Sequence, residues 1–209
     1  MNVHSVTGGY YPMPNIDKRS EIVRAARELI TENGFHGAPM SMIAAHANVG
    51  AGTIYCYFEN KDVLITELYK DLEERMYPVI LKGYASDRPI RERFLHLGTA
   101  LLRHFIESPL DFRYLEQFHN SPYGTEFRRD KILGKMEGCD VFRDLFEDGI
   151  SRQVVKELPL VILFDLAFGP ILAVARDHIL GFVMLDELLI TRTIEACWDG
   201  IKRQAPGTL

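Results

Sequence analysis

The chain has 209 residues, with 24 Lys and Arg against 29 Asp and Glu, a formal charge of −5 and a pI near 5.8. No global basic signature therefore marks a nucleic-acid binder. Apolar residues make up 47% and charged residues 25%, a globular balance that argues against a fibrous or wholly disordered build, and this length buries one large core or two modest ones without staples. Cys56, Cys139 and Cys197 are odd in number, far apart and without a CxxC. They argue against a disulfide framework or cysteine-rich zinc site and fit a reducing cytosol.

Met1 to Pro14 carries no Lys or Arg and no apolar run, so it does not read as a signal peptide. Its paired Gly, paired Tyr and two prolines predict a flexible arm. From Asn15, the set Ile22, Val23, Ala26, Leu29, Ile30 follows helical spacing. Asp17 and Glu21 sit near its start, favourable against the helix dipole, and Asn33-Gly34 predicts its end. A short helix follows, with Pro39 expected at its first position and Met42, Ile43, Ala44 and Ala47 as its apolar face. Asn48 is placed to take positive φ in the turn Asn48-Val49-Gly50. A second short helix is expected over 51–58.

After Glu59-Asn60, the residues Val63, Leu64, Leu68, Leu72, Met76 and Ile80 predict a long helix from Asn60 to about Ala85, kinked or ended early by Pro78. Further helices are expected over 89–107, 110–120, 125–134, 138–152, 157–180 and 185–204, with Ser108-Pro109, Ser121-Pro122 and Gly181 as punctuation. No run alternates with period two and no internal repeat is visible. The fold class is all-α, with an arm at 1–14, a small unit at 15–64 and a larger helical unit at 65–209. Leu158 to Ala175 carries a single charge, Asp165, and reaches the length of a spanning helix. Asp165 would sit mid-span at about 2.5–3.5 kcal/mol even on a lenient scale. Pro159, Gly169 and Pro170 interrupt the run and no basic cluster flanks it, so a buried interface helix is the better reading.

Two short helices joined by a tight turn and packed on a longer one form a helix-turn-helix, whose second short helix enters the major groove. Stepping about 100° per residue along 50–58 gathers Ala51, Ile54 and Phe58 on one face, expected to be buried. The other face carries Gly52, Thr53 and Cys56, flanked by Tyr55 and Tyr57. That face is small, hydroxylated and uncharged. It suits phosphates and thymine methyls but lacks the Arg, Asn or Gln of strong bidentate base contacts.

Gly34-Phe35, Ile43-Ala44, Ala47 and then Val49-x-x-Gly52-Thr53-Ile54-Tyr55-x-Tyr57-Phe58-x-x-Lys61-x-x-Leu64 resemble the DNA-binding domain of the TetR family of bacterial transcriptional regulators. The resemblance implies that Thr53, Tyr55 and Tyr57 face an operator in double-stranded DNA, and the helical face adds Gly52 and Cys56 as candidate contacts beside them. The resemblance also implies that Lys61 contacts a phosphate, a role compatible with the anion-binding character of a helix start. The sequence departs from the family's pattern at Ala38 and Gly50, where capping side chains are usual, and at Cys56, where a polar or basic residue is common. Between Asn15 and Leu64, five basic residues face six acidic ones. Few phosphates can then be neutralised by side chains, and a shallow salt dependence follows.

The resemblance also implies a C-terminal domain that binds a small molecule and forms a homodimer. The residues add an aromatic-rich segment, from which Phe105, Phe112, Phe118, Tyr123, Phe146 and Phe168, with the polar His119, Asp165 and His178, are the candidate lining of an effector pocket. Small and large apolar residues mix over 157–180, and a stripe follows over 185–204. They predict either a two-fold four-helix interface or helices that cover each other within one subunit. No metal-ligand spacing, cofactor loop or nucleophile beside a base is visible, so neither a cofactor nor an enzymatic activity is expected. The whole predicts a cytoplasmic repressor released by an apolar or aromatic effector, with no membrane partner. A helical binding protein with a weakened DNA unit and a redox role for Cys56 are the other readings of the same residues.

Overall fold

The computed structural model describes residues 17–132 and 140–204. The arm expected at 1–14, Cys139 and the start of the helix expected at 138 lie outside the described residues. The described chain is helical throughout, its only extended pairing a single antiparallel bridge between Val155 and Lys202. Two compact units meet between Leu68 and Tyr69.

The first unit contains α1 (Lys18–Gly37), α2 (Met40–His46), α3 (Ala51–Tyr57) and the beginning of α4 (Lys61–Ile80). Asp17 opens α1 by accepting from the Arg19 backbone N–H at 3.1 Å and the Ser20 hydroxyl at 2.7 Å. Those bonds hold its carboxyl below the usual aspartate range. Gly34 interrupts α1 with φ 73°, ψ 172°, a conformation in which a Cβ would be strained. The last turn beyond it, Phe35–Gly37, was not anticipated.

Pro39 stands one position earlier than expected. It is the extended cap of α2, with ψ 155°, and its carbonyl accepts from Met42 and Ile43 at 3.0 and 3.1 Å. Its ring nitrogen thus falls where no donor is needed. Asn48 takes φ 54° in the turn, and Gly50 begins α3 without a side-chain cap. Ile22, Ala25, Ala26, Ile30, Ile43 and Ile54 are fully buried, and Phe58 closes the same core.

The second unit holds the rest of α4 with α5 (Ile90–Glu107), α6 (Pro109–His119), α7 (Pro122–Ile132), α8 (Val141–Ser151), α9 (Leu160–Ile179) and α10 (Glu187–Ile201). The helix expected to reach Ala85 stops at Ile80. Pro78 lies in its last turn, Leu81 still donates to the Tyr77 carbonyl at 2.9 Å, and Gly83 turns the chain at φ 79°. At Gly98 a Cβ would meet the Ile194 side chain at 2.9 Å, so α5 and α10 approach closely only because that residue is glycine. Phe94, Phe105, Phe112, Tyr114, Phe118 and Phe146 fill the core.

Polar ties join these helices. Arg93, buried in α5, donates to the Tyr84 hydroxyl at 2.9 Å and to Asp148 of α8 at 2.6 Å. Burial works against the Asp148 charge, but its bonds from Arg152 and Arg93 prevail and lower its pKa. Arg75 of α4 grips the buried Asp111 of α6 through two nitrogens, at 2.7 and 3.2 Å, a bidentate geometry that fixes orientation. α9 buries Leu163, Ala167, Phe168, Ile171 and Ala175 while Asp165 and Arg176 face water. Among the described residues, no helix is long and apolar enough to cross a membrane.

Candidate DNA-binding helix and effector cavity

Along α3 the sequence alternation resolves into two faces. Ile54 and Phe58 point into the first unit's core at 0 and 1% exposure, while Tyr55 and Tyr57 stand 55 and 44% exposed. Gly52 and Cys56 share the outer face, Thr53 is half-buried, and the Cys56 thiol lies 3.4 Å from the Gly52 carbonyl. A Cβ added at Gly52 would meet nothing within 4 Å. Ala51, expected in the core, is exposed. It is the first residue of α3, at the edge of the helix, before the buried stripe begins.

The cations of this unit are largely engaged within it. Arg24 bonds Glu21 at 2.7 Å and Glu28 at 3.0 Å. Arg19 bonds Glu67 at 2.8 Å and lies over the Phe58 ring at 5.5 Å. Glu28 also accepts from His46 at 2.9 Å; the His46 bond, reinforced by Arg24, holds its carboxyl below the ordinary range. Lys61, expected to reach for a phosphate, donates its Nζ to the Phe35 carbonyl. Burial lowers its pKa, against the opposing pull of Asp62.

The second unit contains a half-open cavity of about 210 Å³ lined by Tyr69, His119, Phe127, Arg128, Asp140, Arg143, Phe164, Asp165, Phe168, Gly169 and Leu172. Its volume exceeds the roughly 150 Å³ that encloses a benzene ring. Carbon dominates the wall, as ligand sites require. Tyr69 forms one side, stacked on Phe118 at 4.1 Å, edge-on to Phe127 at 4.4 Å and 3.4 Å from His119 Nε2 through its hydroxyl. Burial pushes that phenol well above its ordinary pKa, so it stays neutral. The rim charges are paired. Arg128 bonds Asp165 at 2.6 Å, Arg143 lies 3.5 Å from Glu147, and Asp140 caps α8 by accepting from the Phe142 and Arg143 backbone N–H groups.

Of the residues singled out in the sequence, His119, Asp165 and Phe168 line this cavity. Phe105, Phe112, Phe118 and Phe146 do not: each is at most 1% exposed and packs in the core, Phe105 edge-on to Phe112 at 5.3 Å. Phe118 backs the wall from behind Tyr69. Tyr123 is half-buried outside the lining. His178 is a structural residue whose Nδ1 lies 3.1 Å from the Val183 carbonyl and accepts from Leu185 N–H at 3.3 Å, closing the turn after α9. Tyr69, Phe127, Arg128, Asp140, Arg143, Phe164, Gly169 and Leu172 were not among those candidates. Tyr69 follows the buried Leu68 on the stripe of α4, and only tertiary packing separates a cavity wall from a core face.

The apolar faces at the end of the chain divide in two. Ile190, Ile194, Cys197, Trp198 and Ile201 of α10 are buried, and α10 packs on α5 and α9 within the unit. Ile162, Leu166, Leu180 and Leu188 are exposed, and Phe182 and Met184 stand 79% exposed between the two helices. Leu189 and Ala196 of α10 lie on the outer side.

Comparison with known proteins agrees with this architecture. The family described as bacterial regulatory proteins, tetR family, matches residues 22–68, and the tetracyclin repressor-like C-terminal domain matches residues 89–202. A fatty acid metabolism regulator protein of Bacillus subtilis is 46% identical over 158 residues, 74% of this chain and 79% of its own length. An uncharacterized HTH-type transcriptional regulator of Haemophilus influenzae is 26% identical over 90% of this chain and 97% of its own. The solved structure of a TetR family protein from Vibrio parahaemolyticus superposes with a TM-score of 0.72 at 32% identity, covering 90% of this chain and all of that one. With its helix-turn-helix, its helical second unit and these matches over both, the chain belongs to the TetR family of DNA-binding transcriptional regulators.

Proposed function

We propose that the protein is a cytoplasmic, homodimeric repressor that leaves its operator when a small apolar or aromatic effector enters the cavity of the second unit. The observation that carries the reading is the cavity itself: a carbon-walled space with neutralised rim charges, one wall of which is Tyr69 of α4. The same helix begins eight residues earlier, at Lys61, directly after the recognition helix. An effector that shifts Tyr69 shifts a helix shared with the DNA-binding unit, and in a dimer this changes the separation of two recognition helices. That separation has to match about 34–36 Å on B-DNA. The effector switches occupancy only through a preference of a few kcal/mol for the released conformation.

On the DNA side, the outer face of α3 supplies Gly52, Thr53, Tyr55, Cys56 and Tyr57. The second copy covers the exposed Ile162, Leu166 and Leu188 with Phe182 and Met184, a patch whose exposure is otherwise costly. The name of the Bacillus subtilis relative places genes of fatty acid metabolism, and apolar acids, first among those to test.

The test is fluorescence anisotropy against a duplex selected from genomic fragments by the protein, with nonspecific competitor. Wild type is expected to bind saturably and a Thr53→Ala, Tyr57→Ala double variant to lose binding. An apolar effector should release wild type but not Leu172→Trp, whose indole fills the cavity. Binding that strengthens with effector would overturn the repressor reading, and release of Leu172→Trp equal to wild type would overturn the assignment of the cavity.

A further inference from the structure

We propose that the turn joining α4 to α5 forms a binding site for a small oxyanion, a carboxylate or a phosphate group, held by Arg93 at its base and Arg88 at its mouth. The cleft has a volume of about 220 Å³ and is lined by residues 83–85 and Arg88 of the turn and by Glu92, Arg93 and His96 of α5. It shares no residue with the carbon-walled cavity of the same unit. Guanidinium, imidazole, hydroxyl and carboxylate groups make up its walls, a lining that suits a small polar ligand rather than an apolar one.

The charge at the base is only partly compensated. Arg93 is 5% exposed, and a guanidinium that deep is ordinarily matched by a carboxylate of its own. Its Nη1 does donate to Asp148 at 2.6 Å, but Asp148 also accepts from Arg152 Nε at 2.6 Å. One carboxylate thus serves two guanidinium groups. Arg93 Nε donates to the Tyr84 hydroxyl at 2.9 Å, a neutral acceptor, and Nη2 makes no hydrogen bond among the described residues. The planar fork therefore keeps donors for a second anion. At the mouth, Arg88 meets Glu92 only at 3.6 Å, with side chains 68 and 53% exposed. A pair so loose is worth little in water and yields to an oxyanion that Arg88 and Arg93 can both bond. The frame is already set, which lowers the cost of binding. Tyr84 N–H donates to the Leu81 carbonyl at 2.9 Å, Arg93 lies over the Tyr84 ring at 5.9 Å, and His96 Nε2 donates to the Ile80 carbonyl at 3.2 Å. Ile80 is the last residue of α4 and Asp148 belongs to α8, so an occupied site fastens α4, α5 and α8 at one corner.

The experiment titrates the isotope-labelled full chain with sodium acetate and, separately, with sodium phosphate, and follows the backbone amide shifts. Sodium chloride holds the ionic strength constant throughout. Saturable shifts centred on residues 83–96 are expected with at least one of the two anions. Saturation by acetate alone marks a carboxylate ligand, and saturation by phosphate alone marks a phosphorylated one. Three charge variants then locate the site, each at an exposed position where folding is not at stake. Arg88→Gln should weaken binding roughly tenfold. Glu92→Gln, which removes the competing carboxylate, should tighten it about threefold. Arg91→Gln removes the same charge just outside the cleft, where Arg91 bonds Glu195 at 3.1 Å, and should change binding by less than about twofold. Shifts that stay linear in both anions, or that centre elsewhere, would overturn the proposal. Equal losses in Arg88→Gln and Arg91→Gln would overturn it as well, because a diffuse surface field and not a site would then be responsible.

Discussion

The two units fill their interiors with different side chains, and the difference accounts for what each can do. The first packs Ile22, Ala25, Ala26, Ile30, Ile43 and Ile54 around one fully buried ring, Phe58. Small aliphatic residues let α2 and α3 sit close against α1 and leave little room between them. The second packs ring on ring: Phe142 edge-on to Phe168 at 5.0 Å, Phe146 edge-on to Phe164 at 5.1 Å, and Tyr69 against Phe118 and Phe127. Large flat side chains meeting edge to face leave gaps, and here one gap is a cavity of about 210 Å³. A close-packed helix-turn-helix unit and a void-bearing helical unit thus follow from two core compositions.

The largest expected effect tests that contrast directly. Phe58→Ala should cost about 3–5 kcal/mol, the loss typical of a fully buried ring, whereas Phe164→Ala at the cavity wall should cost roughly 1 kcal/mol. Urea denaturation of both variants measures the two losses, and equal losses would erase the distinction between the interiors. Next comes Gly52→Ala. The added methyl meets nothing in the free protein and should stabilise α3 by about 0.5–1 kcal/mol. Against DNA the same methyl should weaken operator binding by about 1–3 kcal/mol. A variant that melts higher yet binds worse would place the close approach at residue 52, while unchanged affinity would move it elsewhere.

The smallest effect concerns His104, buried in α5 with Asp111 at 3.8 Å. Burial lowers its pKa and Arg75 reinforces this, while Asp111 and Glu107 oppose it. The unfolded chain therefore takes up this proton at a higher pH than the folded one. The resulting stability is present in full above about pH 6.5 and is lost as the pH falls toward the lowered folded value. His104→Leu should flatten the decline that sets in below about pH 6.5, as read by thermal melting on either side of that pH. An unaltered slope would assign the acid sensitivity to other groups.

Much of the first unit was legible because its signals are local. The positive φ of Asn48 and Gly34 and the burial of Ile54 and Phe58 all follow from residue type and helical spacing. Pro39 and Ala51 were misplaced by one position or one face, the usual uncertainty at a helix start. The all-α class and the helices of the second unit were equally readable from periodicity. Its cavity was not. Phe105 and Phe164 are both aromatic residues on amphipathic helices, and whether a ring fills the core or walls a space depends on what the neighbouring helix brings opposite it. Nor could the engagement of Lys61 be read, since its partner is a carbonyl 26 residues away, a group that every residue carries and no sequence pattern marks.

The exposure of Cys56 on the outer face of α3, against the burial of Cys197, has a practical consequence. Burial raises the Cys197 thiol pKa and keeps its thiolate scarce, so a maleimide should select Cys56 between the two. In a Cys139→Ser background, a paired spin label there becomes a molecular ruler fixed to the recognition helix itself. In the proposed homodimer, the distance between the two labels, with and without a candidate effector, would read out directly whether the two recognition helices are set to the pitch of an operator.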